Sequence, residues 1–377
     1  MDFALTDEQQ AAIDLASQIL TDRTEPRRIK DVERSASRID HDLWAELAAA
    51  DLLGLSLPEA HGGGGYGFLE ACLLLQQVGH HVAPVPFWAT VVLGALPIAA
   101  HGTDAQKAAL LPAVAAGTSF LTAALDEPGT SPRSPYTEAR AAGDGWRLRG
   151  TKVVVPTAAE ATVILVSART DEGRIGIFLV RPDATGLTIE PEDTVAHWPA
   201  HHVTLDDIAV GPEDLLGGSL DDGQATLDWL VDRATVGLAA MSAGVCASAV
   251  RQTADYATER KQFGRPIATF QAVGQRMAGA YIDARAIRLT MLNAASLLDA
   301  GVPADKEVAT AKFWAGEGGS RVVHAALHVH AGISIDIDYP IHRYFQWSKQ
   351  IESALGSSTP QLERLGAIIA AEPVGTS

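Results

Sequence analysis

The hydrophobic period of this chain switches twice, and that double switch constrains the fold more than any other feature. Up to about residue 117 apolar residues recur at helical spacing. From about Ser119 to Gly218 they fall into short β-rich runs, and beyond that they return to helical spacing. The middle runs are Trp146–Leu148, Lys152–Val155, Thr162–Ser167, Ile175–Val180, Leu187–Ile189 and Val203–Val210, separated by turns such as Asp144-Gly145 and Arg181-Pro182-Asp183. No crossover helix fits between them, so an antiparallel sheet or small barrel is predicted. The expected fold class is α+β, divided into residues 1–117, 118–218 and 219–377.

The first segment carries helix-start signals. Thr6 with Gln9, and Thr103 with Gln106, have capping-box spacing, and Asp40 precedes Trp44, Leu47 and Ala50. Pro58 and the run Gly62 to Gly65 stop helical structure, which resumes over Gly67–Gly79 and Thr90–Ala100. In the third segment no proline occurs between Pro212 and Pro266, and Leu227–Arg260 is alanine-rich with recurring apolar positions. Further long helical stretches are expected over Phe270–Ala300 and Asp305–His330, the last made less regular by Gly316, Gly318 and Gly319. Helices of that length suit a bundle.

Composition narrows the function classes. Lysine and arginine number 29 against 46 acidic residues, a net charge of −17 that argues against nucleic acid and anionic membrane partners. The longest apolar candidate for a membrane span, Trp88 to Ala100, is interrupted at Pro97, so no membrane span is expected. The N-terminus lacks the basic start and apolar stretch of a signal peptide. Cys72 and Cys246 lie in apolar helical segments without CxxC spacing, which fits a reducing, cytoplasmic setting.

Three motifs invite chemistry. Gly62, Gly64 and Gly67 satisfy G-x-G-x-x-G, but the helical regions on both sides point to a surface loop, not a dinucleotide turn. His324 and His328 are one helical turn apart, yet no further ligand motif accompanies them. Packing or helix-end hydrogen bonding is expected there, and no metal. Glu259-Arg260-Lys261-Gln262-Phe263-Gly264-Arg265-Pro266-Ile267 gathers three cations where a long helix should end. Helix-end capping accounts for them, and so does a pyrophosphate site with an aromatic wall; both readings stand.

That segment, with Phe270-Gln271-Ala272, closely resembles the acyl-CoA dehydrogenase family. Matches in the same order are Leu53-Gly54 with Pro58-Glu59 and Gly62-Gly63, then Asp126-Glu127-Pro128-Gly129, Gly150-Thr151-Lys152, and Tyr339-Pro340-Ile341-His342-Arg343. The resemblance spans almost the whole chain. It implies an N-terminal α-helical domain, a middle β-domain and a C-terminal four-helix bundle, together with FAD and the α,β-desaturation of a coenzyme A thioester. A carboxylate removes the proton beside the thioester carbonyl while a hydride leaves the β-carbon for the flavin. The resemblance further implies FAD contacts from Arg260, Gln262 and Phe263 across a subunit boundary, with Gln271, His328 and Gly332 also on the cofactor side. An oligomer and an acceptor such as electron-transfer flavoprotein follow.

Departures from the family pattern are as informative. Its usual base lies just before a glycine, about sixteen residues past the Tyr-Pro pair; here Leu355 precedes Gly356. A subset of the family places the carboxylate at the start of the first bundle helix, which points to Asp232 beside Arg233, although Asp232 also reads as a helix N-terminal charge or a partner of Arg233. The flavin-facing strand has Val154, Val155 and Pro156 in place of an aromatic, an apolar residue and a hydroxyl. Thr130-Ser131-Pro132-Arg133 replaces Gly-Ser-Asp, and His328 with Ala331-Gly332 replaces a glutamine and Gly-Gly. The expected function is therefore an FAD-dependent acyl-CoA dehydrogenase with Asp232 as base. The alternatives are a degenerate partner subunit in a heteromer of related chains, similar to actinobacterial dehydrogenases for sterol and other bulky acyl groups, or a flavin oxidase or monooxygenase.

Overall fold

The computed structural model describes residues 3–372. Helices α1 (Asp7–Arg23), α2 (Pro26–Glu33), α3 (His41–Ala49), α4 (Phe68–His80), α5 (Leu96–His101) and α6 (Asp104–Ala115) come first. Strands β1 (Phe120–Ala124), β2 (Glu138–Ala142), β3 (Gly145–Pro156), β4 (Ala161–Thr170), β5 (Ile175–Val180), β6 (Leu187–Glu192) and β7 (Ala200–Val210) follow. Then come α7 (Gly223–Glu259), the short strands β8 (Lys261–Gln262) and β9 (Arg265–Pro266), α8 (Gln271–Asp299), α9 (Asp305–Phe313), α10 (Gly319–His330), α11 (Ile341–Ser353) and α12 (Ser358–Ala370). The chain divides into two compact units, one of residues 31–71 and 84–234, the other of 1–30, 72–83 and 235–377.

The first unit holds the large sheet, whose strands run β1-β4-β2-β3-β7-β6 with β5 on β4. The pairings of β2 with β3, β3 with β7, β4 with β5 and β6 with β7 are antiparallel, but β4 pairs in parallel with β1 and β2. The expectation of an antiparallel sheet or small barrel holds for the other pairings and is corrected at β4. The β2–β3 hairpin itself forms the long connection between β1 and β4, so parallel pairing needs no crossover helix. Two runs taken as separate strands, 146–148 and 152–155, are one strand, β3, bent by register shifts against β7. Leu148, Val155, Ile164, Val166, Phe178, Val203 and Ile208 fill the space beneath. A fully buried π-helix over Trp88–Ala95 runs directly into α5, so Pro97 sits in a first helical turn and breaks nothing. Among the helix starts, Thr103 and Gln106 cap each other reciprocally, and Asp40 accepts from Leu43 N–H.

The second unit is helical. Thr6 and Gln9 form the expected capping box of α1. The α4 segment in this unit crosses α7 at backbone contact: a methyl on Gly79 would sit 2.1 Å from Met241 O, and one on Gly244 would sit 1.9 Å from Gln76 O. Tyr344 of α11 locks the same place, accepting from Ser248 Oγ and donating to His80 O, each at 3.1 Å. The stretch expected as one helix over 305–330 is α9, a π-turn at Trp314–Gly318, and α10; the three glycines mark the irregular turn. Sequence patterning passed over α11 and α12. Contrary to the sequence reading, α7 is long and apolar enough to qualify as a membrane span, with mean hydropathy 1.3 over its best window, but 89% of that window is buried. Alanine and glycine lower its apolar contrast, which hid the length of the run.

Candidate active site

The cation-rich segment folds as a hairpin just past α7. Gln262 pairs with Arg265, and Phe263 and Gly264 form a two-residue turn with φ of 53° and 78°. Both positive values fit a type I′ turn, the tight link whose twist matches its strands. Phe263 is 92% exposed, an unusual position for a large aromatic ring at a rigid tip. Phe270 meets it edge-on at 6.1 Å, and the Arg265 guanidinium lies 4.5 Å from the Phe270 ring centre. Arg260, Lys261 and Gln262 are exposed, as is Gln271, the first residue of α8, a helix whose N-terminus has no side-chain cap. The last turn of α7 contains no basic residue, so the cations stand on the hairpin beyond it. Exposed guanidinium groups beside an uncapped helix start suit a phosphorylated ligand.

His328 and Gly332, the other expected cofactor residues, are exposed at the end of α10. The two segments meet through residues that sequence reasoning passed over. Tyr256, one turn before Arg260, stacks on His330 at 4.3 Å, and His330 Nδ1 lies 3.0 Å from Tyr339 Oη. Burial pulls the His330 pKa down to about 4, so the ring is neutral near pH 7. His324 makes a 2.7 Å contact between Nδ1 and Ser320 O inside its own helix. Among the described residues no group of three or more His, Cys, Asp or Glu side chains converges as a metal set.

Asp232 lies in the other unit, and its cation partner is Arg133 rather than the neighbouring Arg233. Arg133 Nη2 donates to Asp232 Oδ1 at 2.5 Å and Nη1 donates to Asp228 Oδ1 at 2.8 Å. Gln224 Nε2 donates to Arg133 O at 3.2 Å. Gln224, Asp228 and Asp232 are spaced i, i+4, i+8 on α7, so one helix face straps down the loop around Arg133. Arg233 instead stacks on Trp229, 3.8 Å from the ring centre, with Phe68 at 5.6 Å. The arginine that replaced part of a Gly-Ser-Asp motif thus holds the carboxylate expected as a base.

Leu355, at the position where the family carries its usual base, is 5% exposed and has φ 53°, followed by Gly356 at 91°. A left-handed leucine costs roughly 1–3 kcal/mol, so the surrounding structure must impose it. Lys312, fully buried, donates from Nζ to the carbonyls of Ile351 at 2.7 Å and Glu352 at 3.1 Å, tying down the end of α11 just before the turn. The turn keeps a defined shape without a group that can take a proton.

On β3, two matched motifs turn out to be one interaction. Lys152 Nζ donates to Glu127 Oε1 at 2.6 Å, with Ser167 O at 2.8 Å and Ser167 Oγ at 3.0 Å, and the side chains are 0% and 3% exposed. Burial lowers the Lys152 pKa despite the opposing pull of Glu127. For Glu127 burial acts upward, but the Lys152 charge and the Lys152 and Thr137 hydrogen bonds outweigh it and hold the carboxyl below its ordinary range. Just beyond, Val154 has φ 51°, an outlier for a β-branched residue.

Family models for the N-terminal, middle and C-terminal domains of acyl-CoA dehydrogenase match residues 6–118, 122–208 and 221–370. The chain belongs to the acyl-CoA dehydrogenase family. It is an acyl-CoA dehydrogenase acting on coenzyme A thioesters, in a family that binds FAD, and its helical, sheet and helical order is that family's fold. It is 37% identical to the acyl-CoA dehydrogenase FadE27 of Mycobacterium tuberculosis, covering 99% of this chain and 100% of that one. Among solved structures it is similar to the ChsE4-ChsE5 complex from Mycobacterium tuberculosis, with TM-score 0.94, 37% identity and coverage of 99% and 100%. The Tcur3481-Tcur3483 steroid ACAD gives TM-score 0.91, 46% identity and coverage of 97% and 98%.

Proposed function

We propose that this acyl-CoA dehydrogenase works as one half of a heteromeric enzyme, with the α-proton base on a related subunit. The observation that carries this reading is Leu355: an ordered turn at the family's base position, buried and without a carboxylate. Asp232, the alternative base, is held by Arg133. The hairpin points the same way, because exposed Arg260, Gln262 and Phe263, with Gln271 beside them, suit a neighbour's FAD, and His328 and Gly332 are exposed as well. An arginine can pair with a phosphate bidentately and partly desolvated, which is worth more than an exposed helix-end charge. The substrate we assign is a bulky, steroid-type acyl-CoA, supported by the likeness to a steroid dehydrogenase. Electrons would pass to electron-transfer flavoprotein or a similar acceptor. The setting would be cytoplasmic, in keeping with two buried free cysteines.

The test is to purify the chain alone and co-expressed with a homologue carrying a carboxylate base, then measure oligomeric mass and dye-linked acyl-CoA oxidation. Activity only in the mixed assembly supports the proposal. A homo-oligomer with normal turnover, lost on Asp232→Asn, refutes it and restores Asp232 as base. Oxygen consumption without an added acceptor would identify an oxidase.

A further inference from the structure

We infer that the flavin-facing strand of this chain is closed by its own side chains, with Glu192 as the residue that closes it, so that this chain does not seat an isoalloxazine ring of its own. The inference rests on the heteromeric reading only for its consequence, one FAD for each pair of unlike chains.

A flavin ring presents nitrogen and carbonyl acceptors to its protein and gains negative charge on reduction, so its seat needs free N–H or O–H donors and no opposing anion. On β3 and just past it those donors are spent. Val153 N–H donates to Asp126 O at 3.0 Å, and Thr157 N–H donates to Pro199 O at 2.6 Å. Pro156 has no N–H, and Val155 sits in the ladder opposite His201. Val154, the exposed position of the bulge, donates its N–H to Glu192 Oε2 at 2.6 Å. A carboxylate therefore occupies the acceptor position that a ring oxygen or nitrogen would need, and it brings the wrong charge for a reduced flavin. His202 Nδ1 lies 3.5 Å from Glu192 Oε1, the other oxygen of that carboxylate. The left-handed backbone of Val154 fits this account: the bond to Glu192 is a force that sustains an otherwise unfavourable φ. The residues present on this strand do not fit the ring.

Three measurements test the inference. FAD is titrated into the purified chain, and flavin absorbance per chain is measured on the chain alone and on its complex with a base-carrying homologue. Hydrogen exchange at the Val154 amide is compared between the wild type and Glu192→Ala. Little flavin on the chain alone, one FAD per unlike pair in the complex, and faster Val154 exchange in the variant are expected. Combining Glu192→Ala with Pro156→Thr returns three donors, the Val154 N–H and the N–H and hydroxyl of the introduced threonine, each worth about five- to tenfold in affinity where it reaches the ring, so FAD binding should strengthen by more than about tenfold. One FAD on every chain of the complex overturns the inference while leaving the heteromer intact. An unchanged Val154 exchange rate in Glu192→Ala overturns the role of Glu192. A flavin-poor chain that forms no mixed complex supports the closed strand and removes the heteromeric reading instead.

Discussion

Replacing Lys152 with methionine isolates the contribution of the buried pair that fastens β3 to the loop after β1. Glu127 then keeps its bonds from Tyr136 N–H and from the N–H and hydroxyl of Thr137, but loses the ammonium at 2.6 Å. Removing one partner of a buried ion pair costs about 3–5 kcal/mol, and the surviving donors place this variant near the lower end. Glu127→Gln should fall near the upper end, because a lysine with 0% exposure loses its contacting carboxylate and is left with the more distant charge of Asp126 and neutral oxygens from Ser167 and the new amide. The double variant should cost less than the sum of the singles by about 2–3 kcal/mol, the coupling expected of groups in direct contact. Native-state hydrogen exchange at the β4 amides of residues 164–166 is the suitable assay, since a chain of two units has no single unfolding free energy. Losses below about 1 kcal/mol in both singles, or an additive double variant, would refute the reasoning. The pH dependence has a fixed sign. The folded pKa of Glu127 lies below its ordinary 4.5, so its contribution is complete above about that pH and disappears as the pH falls through the lower folded value.

Three further outcomes follow from the second unit. Gly79→Ala and Gly244→Ala should each destabilise it by about 3 kcal/mol or more, measured by hydrogen exchange along α7, because the added methyl meets backbone that cannot move aside. His81 and His330 both have pKa values lowered to about 4 by burial, with His80 adding to the effect at His81. Their contribution to stability is therefore full above 6.5 and lost as the pH falls from there towards 4, which a pH series of thermal unfolding would read. Phe263→Ala should change the stability of the chain alone by less than about 0.5 kcal/mol yet weaken subunit association by more than about 1 kcal/mol, seen as dissociation on dilution.

Legibility in the sequence followed the range of the interaction. Thr6 with Gln9 and Thr103 with Gln106 announce helix starts because the partners are three residues apart, and the structure has both bonds. The hairpin at Phe263-Gly264 stood out in the sequence because Arg260, Lys261 and Arg265 fall so close together along the chain. Arg133 and Asp232 are 99 positions apart, so the sequence suggested the adjacent Arg233 while three-dimensional packing supplied Arg133. Glu127 and Lys152 were each visible in a motif, but nothing in either motif says that the two meet. Helix was expected over Thr90–Ala100, but its π form over Trp88–Ala95 was not, because every position there is buried and no polar face sets the period. Val154 gave only a lost aromatic; its positive φ and its bond to Glu192 depend on β6, a strand nearly forty residues further on.

The exposed phenylalanine at the hairpin tip also bears on how such a chain is made in a cell. The tight turn presents the ring at its tip, 92% exposed, so a newly synthesised copy displays it once the hairpin forms. Copies made in excess of their counterpart would remain adhesive, favoured by chaperones and proteases over free circulation. In the heteromer proposed above, balanced synthesis of the two subunits then becomes a requirement written into one side chain, and expression of either gene alone would set the level of waste rather than the level of enzyme.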